Sequence, residues 1–172
     1  MARIIFITGG ARSGKSRLAE KLAESFGGPL CYVATGEARD AEMAQRIAAH
    51  KARRGEIWQT IEEPCNLSQI LTGTDGKFRA VLVDCITLWI SNLLLQHLEP
   101  EPVLEQVQAL LESAKDSTVP LIFVSNEVGM GIVPENALAR TFRDLAGRAN
   151  ELLAAAADEV YVTFSGIPLR LK

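Results

Sequence analysis

Six short apolar runs recur along this chain, separated by longer stretches in which apolar residues return every three or four positions. Residues 3–8, 30–34, 57–61, 80–84, 120–125 and 159–164 read as strands, with 168–171 as a further edge strand. Runs such as Ile4-Ile5-Phe6-Ile7 and Leu121-Ile122-Phe123-Val124 show no polar alternation, so both faces are expected to be covered. The helical stretches are 15–26, 40–54, 87–98, 102–115 and 137–157. In the last of these Leu138, Phe142, Leu145, Ala149, Leu152 and Ala156 fall on one face of a 3.6-residue period. Segment 62–79 carries the weakest pattern, and Thr72-Gly73-Thr74-Asp75-Gly76 reads as a turn or loop. Strands alternating with helices imply crossover units: an α/β fold, a mostly parallel sheet flanked by helices on both faces.

The first strand runs into Gly9-Gly10-Ala11-Arg12-Ser13-Gly14-Lys15-Ser16, which fits G-x-x-x-x-G-K-[ST] in full. An amphipathic stretch from Arg17 to Phe26 follows. Strand, glycine loop and helix are what this pattern needs to work: the loop's N–H groups and the helix N-terminus converge on one anion. Lys15 adds a positive charge on the β- and γ-phosphates, and Ser16 can hold Mg²⁺. Val81-Leu82-Val83-Asp84 ends an apolar strand in a carboxylate, the natural partner of Ser16 at a Mg²⁺ site; an ordinary strand-end turn would also place an aspartate there.

Composition narrows the class. The 172 residues suit one domain spanning the whole chain (1–172), and 48% apolar with 23% charged residues is ordinary for a globular protein. No apolar run approaches the ~18–20 residues of a membrane span. The N-terminal stretch reads as a core strand rather than a signal peptide. Cys31, Cys65 and Cys85 lie far apart with no C-x-x-C, which points to core thiols in a reducing, cytoplasmic setting. The net charge of −3 conceals an asymmetry: residues 1–60 hold 10 Lys and Arg against 6 Asp and Glu, residues 61–172 hold 8 against 15. A mildly positive P-loop half suits a polyphosphate and is too weak for a nucleic-acid partner.

Residues 46–54 add Arg46, Lys51, Arg53 and Arg54 around His50, with no acid among them. On a helix His50 shares a stripe with Met43 and Ile47. Spacing leaves two readings open: a half-buried structural imidazole on a basic face, or a nucleophile for an α-phosphorus whose pyrophosphate leaving group the cations neutralise. His97, near a helix end, needs only the helix dipole to explain it. Asn126 and Glu127 follow a buried strand, where open α/β sheets bind ligands, and are candidates for sensing phosphate or touching a second substrate. Glu62, after a short strand, is a candidate for the sugar or base of a nucleotide or an ordinary surface acid.

Together these segments resemble the bifunctional adenosylcobinamide kinase / adenosylcobinamide-phosphate guanylyltransferase family of cobalamin biosynthesis, over nearly the whole chain. The likeness is carried by Thr8 to Ser16, Tyr32-Val33-Ala34-Thr35, His50-Lys51 with Trp58 and Glu62, and Asp84-Cys85-Ile86-Thr87 with Asn92-Leu93-Leu94. It continues in Phe142-Arg143-Asp144 and Ala154 to Val160, and its most specific stretch is Asn126-Glu127-Val128-Gly129-Met130-Gly131-Ile132-Val133-Pro134-Glu135-Asn136.

The resemblance implies a P-loop NTPase with a RecA-like sheet. It implies phosphorylation of adenosylcobinamide, a corrinoid, by ATP or GTP. GMP would then pass from GTP to that phosphate through a guanylylated histidine, releasing pyrophosphate. His50 is the matching histidine; some relatives carry two in a row, whereas this chain has Ala49. Lys15 joins it as catalytic. Implied nucleotide contacts are Gly9, Gly10, Ala11, Arg12, Ser13, Gly14, Lys15, Ser16, Ala34, Thr35, Gly36, Lys51, Ala52, Arg53, Arg54, Glu62 and Asp84, with Ser16 and Asp84 toward Mg²⁺. Asp84 and Glu127 are both candidates for the kinase base. A homotrimer is implied by the resemblance alone. Two rival readings remain at this point: a P-loop small-molecule kinase without nucleotidyl transfer, and a nucleotide-sensing regulatory module.

Overall fold

The computed structural model describes residues 3–36, 41, 45, 48, 52, 54–74, 76–96 and 99–172. Seven strands form one sheet: β1 (Ile4–Gly9), β2 (Leu30–Ala34), β3 (Trp58–Glu62), β4 (Ala80–Asp84), β5 (Leu121–Val124), β6 (Glu159–Phe164) and β7 (Ile167–Arg170). Their order across the sheet is β3-β2-β4-β5-β1-β6-β7. The first six run parallel, and β7 returns antiparallel along β6. The described helices are α1 (Lys15–Glu24), α2 (Leu67–Thr74), α3 (Ile86–Leu95), α4 (Pro100–Asp116) and α5 (Ala137–Ala156).

Unbroken apolar strands belong inside, and β1, β2, β4 and β5 are buried along nearly all their length. Their side chains alternate between two cores. Ile4, Phe6, Val33, Val81, Val83, Leu121 and Phe123 pack beneath α2 to α5, around the fully buried Trp89. Ile5, Ile7, Leu30, Tyr32, Leu82 and Ile122 face α1, which closes on them with Ala19 and Ala23. The small residues let α1 lie close to the sheet, and this closeness sets where the P-loop ends.

Two expectations need correcting. The stretch read as a loop, Thr72-Gly73-Thr74, is the last turn of α2. Leu67 and Leu71 supply a buried face, and the Thr72 and Thr74 hydroxyls donate back to the carbonyls of Ser68 and Ile70. Glu63 accepts the N–H groups of Cys65 and Asn66 ahead of the first turn. Burial and local hydrogen bonding thus override two poor helix formers. In α5 the apolar stripe departs from expectation at its start: Leu138 is 57% exposed and Phe142 packs only partly buried against the core, while full burial runs through Leu145, Ala146, Ala149, Asn150 and Leu153. The helix begins at the edge of the core. Asn136 caps its first turn by accepting from the Ala139 N–H at 3.0 Å.

Of the expected helix 40–54, Ala41, Gln45, Ala48 and Ala52 are helical; its remaining residues before Arg54, His50 included, lie outside the described residues, as does His97.

The starts of β1 and β6 and the end of β7 are tied through one buried carboxylate. Glu159, 4% exposed, accepts the Tyr161 hydroxyl at 2.7 Å and pairs with Arg3 and Arg170. Burial opposes its ionisation, but the Tyr161 hydroxyl and Arg3 outweigh it and hold the carboxyl below its usual range. A depressed carboxyl stabilises the fold above its unfolded value and loses that stabilisation as pH falls through the folded one. Glu159→Gln is therefore expected to cost about 2 kcal/mol at pH 7. The gap from wild type should close as pH falls below about 4.5, the carboxyl's ordinary value. Urea unfolding of both proteins at several pH values tests this; a constant gap would sink it.

Candidate nucleotide site

The carboxyl ends of the parallel strands form one row. Ala34 is in register with Glu62 on one side and Asp84 on the other; Asp84 faces Val124, and Val124 faces Ile7 of β1. This is the edge at which open α/β sheets bind ligands. Beyond β1 the chain turns through the P-loop, and Gly14, in the left-handed region at φ 99°, starts α1. Arg12 is also left-handed, at φ 55°. A side chain there costs free energy that the surrounding loop must over-determine.

Beside that loop stands the β6–β7 hairpin, a neighbour the sequence reading did not foresee. The Gly166 N–H donates to the Ser13 carbonyl at 2.9 Å, and the Ser13 and Thr163 hydroxyls share a hydrogen bond of 2.6 Å. A Cβ on Gly9 would stand 2.6 Å from the Thr163 carbonyl oxygen, and one on Gly14 would stand 3.2 Å from Gly166 Cα. Both glycines are therefore required for close backbone approach as well as for the turn. The Glu127 N–H donates to the Gly9 carbonyl at 3.0 Å, so β5 holds the loop from the other side.

Within the loop, Lys15 is 7% exposed and its Nζ donates to the Gly10 carbonyl at 2.6 Å. Burial pushes its ammonium below the usual lysine value, against the pull of Asp84 and of Cys85. Ser16 Oγ donates to Asp84 Oδ2 at 2.7 Å. Because β5 lies between β4 and β1, this contact exists only because α1 crosses β5 to reach β4. Tyr32 OH donates to the same Asp84 oxygen at 3.0 Å. Burial, with Asp84 adding to it, pushes the Tyr32 phenol far above its ordinary value, so it remains a donor. Arg54 stacks its guanidinium 3.5 Å from the Tyr32 ring centroid and donates to Thr60 Oγ1 at 3.3 Å.

Other expected contacts are distributed unevenly. Thr35 is fully buried; its hydroxyl donates to the Cys85 carbonyl and accepts the Cys85 N–H, and Asn92 holds its carbonyl at 2.8 Å. It clasps the turn after Asp84. Ala34 ends β2 at 8% exposure, Gly36 lies beside Leu88, and Glu62 is exposed at the end of β3. Ala52 is exposed. Lys51 and Arg53 lie outside the described residues. Asn126 is turned toward α3, its N–H and Nδ2 both reaching Thr87 Oγ1, while Asn150 bridges Ser125 Oγ and the Asn126 carbonyl. Glu127 folds onto the Gly129 N–H. Cys31 and Cys85 are buried thiols, pushed up by burial to about 12 and about 11.

The chain was compared with known proteins. The family described as cobinamide kinase / cobinamide phosphate guanyltransferase matches residues 5–171. The bifunctional adenosylcobalamin biosynthesis protein CobP of Pseudomonas aeruginosa is 45% identical over 166 residues, covering 96% of this chain and 95% of that protein. The bifunctional adenosylcobalamin biosynthesis proteins CobU of Escherichia coli and Salmonella typhimurium are 41% and 43% identical, each covering 98% of this chain and 99% of the relative. Among solved structures, a KaiC-like protein of Pyrococcus horikoshii matches with a TM-score of 0.52 and 17% identity over 93% of this chain and 70% of that one. That likeness concerns the fold, a RecA-like P-loop architecture.

Gly14→Ala should bring a left-handed alanine against the hairpin, and nucleotide affinity is expected to fall about tenfold. Equilibrium titration with a fluorescent GTP analogue measures this. Unchanged affinity would mean that the hairpin yields and does not brace the loop.

Proposed function

The chain belongs to the cobinamide kinase / cobinamide phosphate guanyltransferase family, and on that premise we propose that one P-loop serves both of its reactions. The protein is a bifunctional transferase. It phosphorylates the corrinoid adenosylcobinamide, then joins GMP from GTP to the new phosphate with loss of pyrophosphate. The observation that best supports a shared loop is the contact of Ser16 with Asp84 beside the Lys15 ammonium.

Both reactions begin with the same grip on a triphosphate. Lys15, now held on the Gly10 carbonyl, has a single donor-rich head that can exchange that oxygen for phosphate oxygens. The loop N–H groups and the α1 N-terminus orient the chain of phosphates. For the kinase step the corrinoid hydroxyl attacks the γ-phosphorus as the β–γ bridging P–O bond breaks and the nucleoside diphosphate leaves, and Asp84 or Glu127 is the candidate to take the hydroxyl proton. For guanylyl transfer we assign the nucleophile to His50. Its neutral nitrogen forms a bond to the α-phosphorus as the α–β bridging P–O bond breaks and pyrophosphate leaves. The substrate phosphate then attacks the same phosphorus and the N–P bond breaks. Lys51, Arg53 and Arg54 are proposed to neutralise the leaving pyrophosphate, and Glu62 to meet the nucleoside.

Ser16 and Asp84 are a hydroxyl and a carboxylate in direct contact, a hard oxygen pair that fits Mg²⁺. Among the described residues no group of three or more His, Cys, Asp or Glu side chains could hold a metal by itself, which suits an ion that shares its coordination with phosphates and water. Bound there, Mg²⁺ would neutralise charge developing on the phosphates.

Cys31, Cys65 and Cys85 form no disulfides, which supports a reducing compartment, and we propose that the enzyme works in the cytoplasm. No helix among the described residues is long and apolar enough to cross a membrane. The edge strand β7 exposes Ile167 and Leu169 next to Phe164 and Leu171, all more than half exposed, which supports the homotrimer the resemblance implies.

Wild-type protein given α-labelled GTP and Mg²⁺ without corrinoid should carry label on a denaturing gel. The label should be lost in acid and stable in base, as a phosphoramidate is. His50→Ala should bind GTP and remain unlabelled; label on that variant would overturn the assignment. Lys15→Ala should slow both reactions about a hundredfold. Guanylylation needs a neutral imidazole, so it should decline as pH falls, and a flat rate down to about pH 5 would contradict a histidine nucleophile.

A further inference from the structure

Tyr32 stands between two groups that the mechanism treats separately. Its hydroxyl meets Asp84 Oδ2 at 3.0 Å, and that oxygen also receives Ser16 Oγ. Its ring lies under Arg54 at 3.5 Å. The tyrosine is 5% exposed and is braced edge-on by Trp58, with ring centroids 6.2 Å apart. Among the described residues, Arg54 Nη2 reaches Thr60 and Nη1 is buried without a hydrogen-bond partner. The stack on Tyr32 and the Thr60 contact hold this guanidinium. Arg54 closes the basic segment 46–54, four residues after His50. Four residues span at most about 14 Å, so the position of Arg54 bounds its distance from His50.

We infer that Tyr32 is a positioning residue joining the two chemistries, its hydroxyl orienting Asp84 beside Ser16 and its ring face holding Arg54, the residue four after His50 in the sequence. The inference rests on the proposed roles of Asp84 and His50. With Mg²⁺ held by Ser16 and Asp84, the Tyr32 hydroxyl would remain a donor that orients the carboxylate. Partners of this kind behind a ligating carboxylate set its orientation and are worth about 10–100-fold in metal affinity or activity. The ring acts separately, because a guanidinium stacks on a π-face with no need for the phenolic oxygen.

Two substitutions in the full chain separate these roles. Tyr32→Phe keeps the ring and loses the hydroxyl. The Mg²⁺ concentration that half-saturates the metal-dependent gain in GTP binding should rise about tenfold, while the rate of GMP labelling at saturating Mg²⁺ stays within about twofold of wild type. Arg54→Lys keeps the charge and loses the planar stack. Its labelling rate at saturating GTP should fall about tenfold, with the Mg²⁺ half-saturation unmoved. Melting temperatures establish that both variants are folded. An unshifted Mg²⁺ requirement in Tyr32→Phe overturns the inference. So does Arg54→Lys if it labels at the wild-type rate, or loses labelling only through weaker GTP binding. Wild-type protein that binds GTP and never labels overturns the guanylyltransferase reading and this inference with it; labelled wild type beside unaltered variants overturns this inference alone.

Discussion

A single carboxylate oxygen, Asp84 Oδ2, organises the nucleotide edge of this protein. It accepts from Ser16 on α1 and from Tyr32 on β2, and so links the P-loop helix to the neighbouring strands of the sheet. The contact depends on a series of close approaches. Helix α1 must cross β5, and it can do so because Ala19 and Ala23 let it lie low on the sheet. Its first turn must leave the loop at the correct angle, which requires the left-handed Gly14. Gly14 is in turn pressed against Gly166 of the hairpin at the far side of the loop. Larger side chains anywhere in this series would move the serine away from the carboxylate.

The same geometry explains how one loop can serve two different bond cleavages. Nothing in a P-loop chooses between the γ- and the α-phosphorus; the loop fixes the triphosphate as a whole. The choice falls to the attacking group and to whatever places it. The first 60 residues carry a mild excess of cations over acids, which suits a polyphosphate ligand.

Much of this was legible in the sequence because its signals are local. A strand buried on both faces has to be a run of apolar residues, and a phosphate loop has to contain glycine, lysine and a hydroxyl at fixed spacing. The sheet strands and four of the described helices follow from such signals. Helix α2 was illegible because Thr and Gly are poor helix formers, and burial of Leu67 and Leu71 with capping by Glu63 decided the outcome. The exposed start of α5 was missed because periodicity says which residues share a face and not how far the core extends. The second tier of the site was missed for another reason. Thr163, Gly166, Tyr32 and Asn150 act on residues that are far away in sequence, and no spacing rule connects a hairpin turn to a loop 150 residues earlier. A Ser-Gly pair between two apolar stretches does predict a hairpin; what the hairpin rests on is a matter of sheet order.

That sheet order has a consequence for how the protein is made. Strand β1 leaves the ribosome well before its two neighbours in the sheet, β5 and β6, which begin at residues 121 and 159. The contact between the Ser13 and Thr163 hydroxyls spans 150 residues. At ordinary translation speeds the P-loop therefore waits on the order of ten seconds for its walls. During that time its apolar strand has no sheet to enter, and the nascent chain depends on shielding of Ile4 to Ile7 from other exposed apolar segments. The loop gains its hairpin wall only once Thr163 and Gly166 have been made, so shorter unfinished chains lack the bracing of Ser13 that completes the phosphate loop.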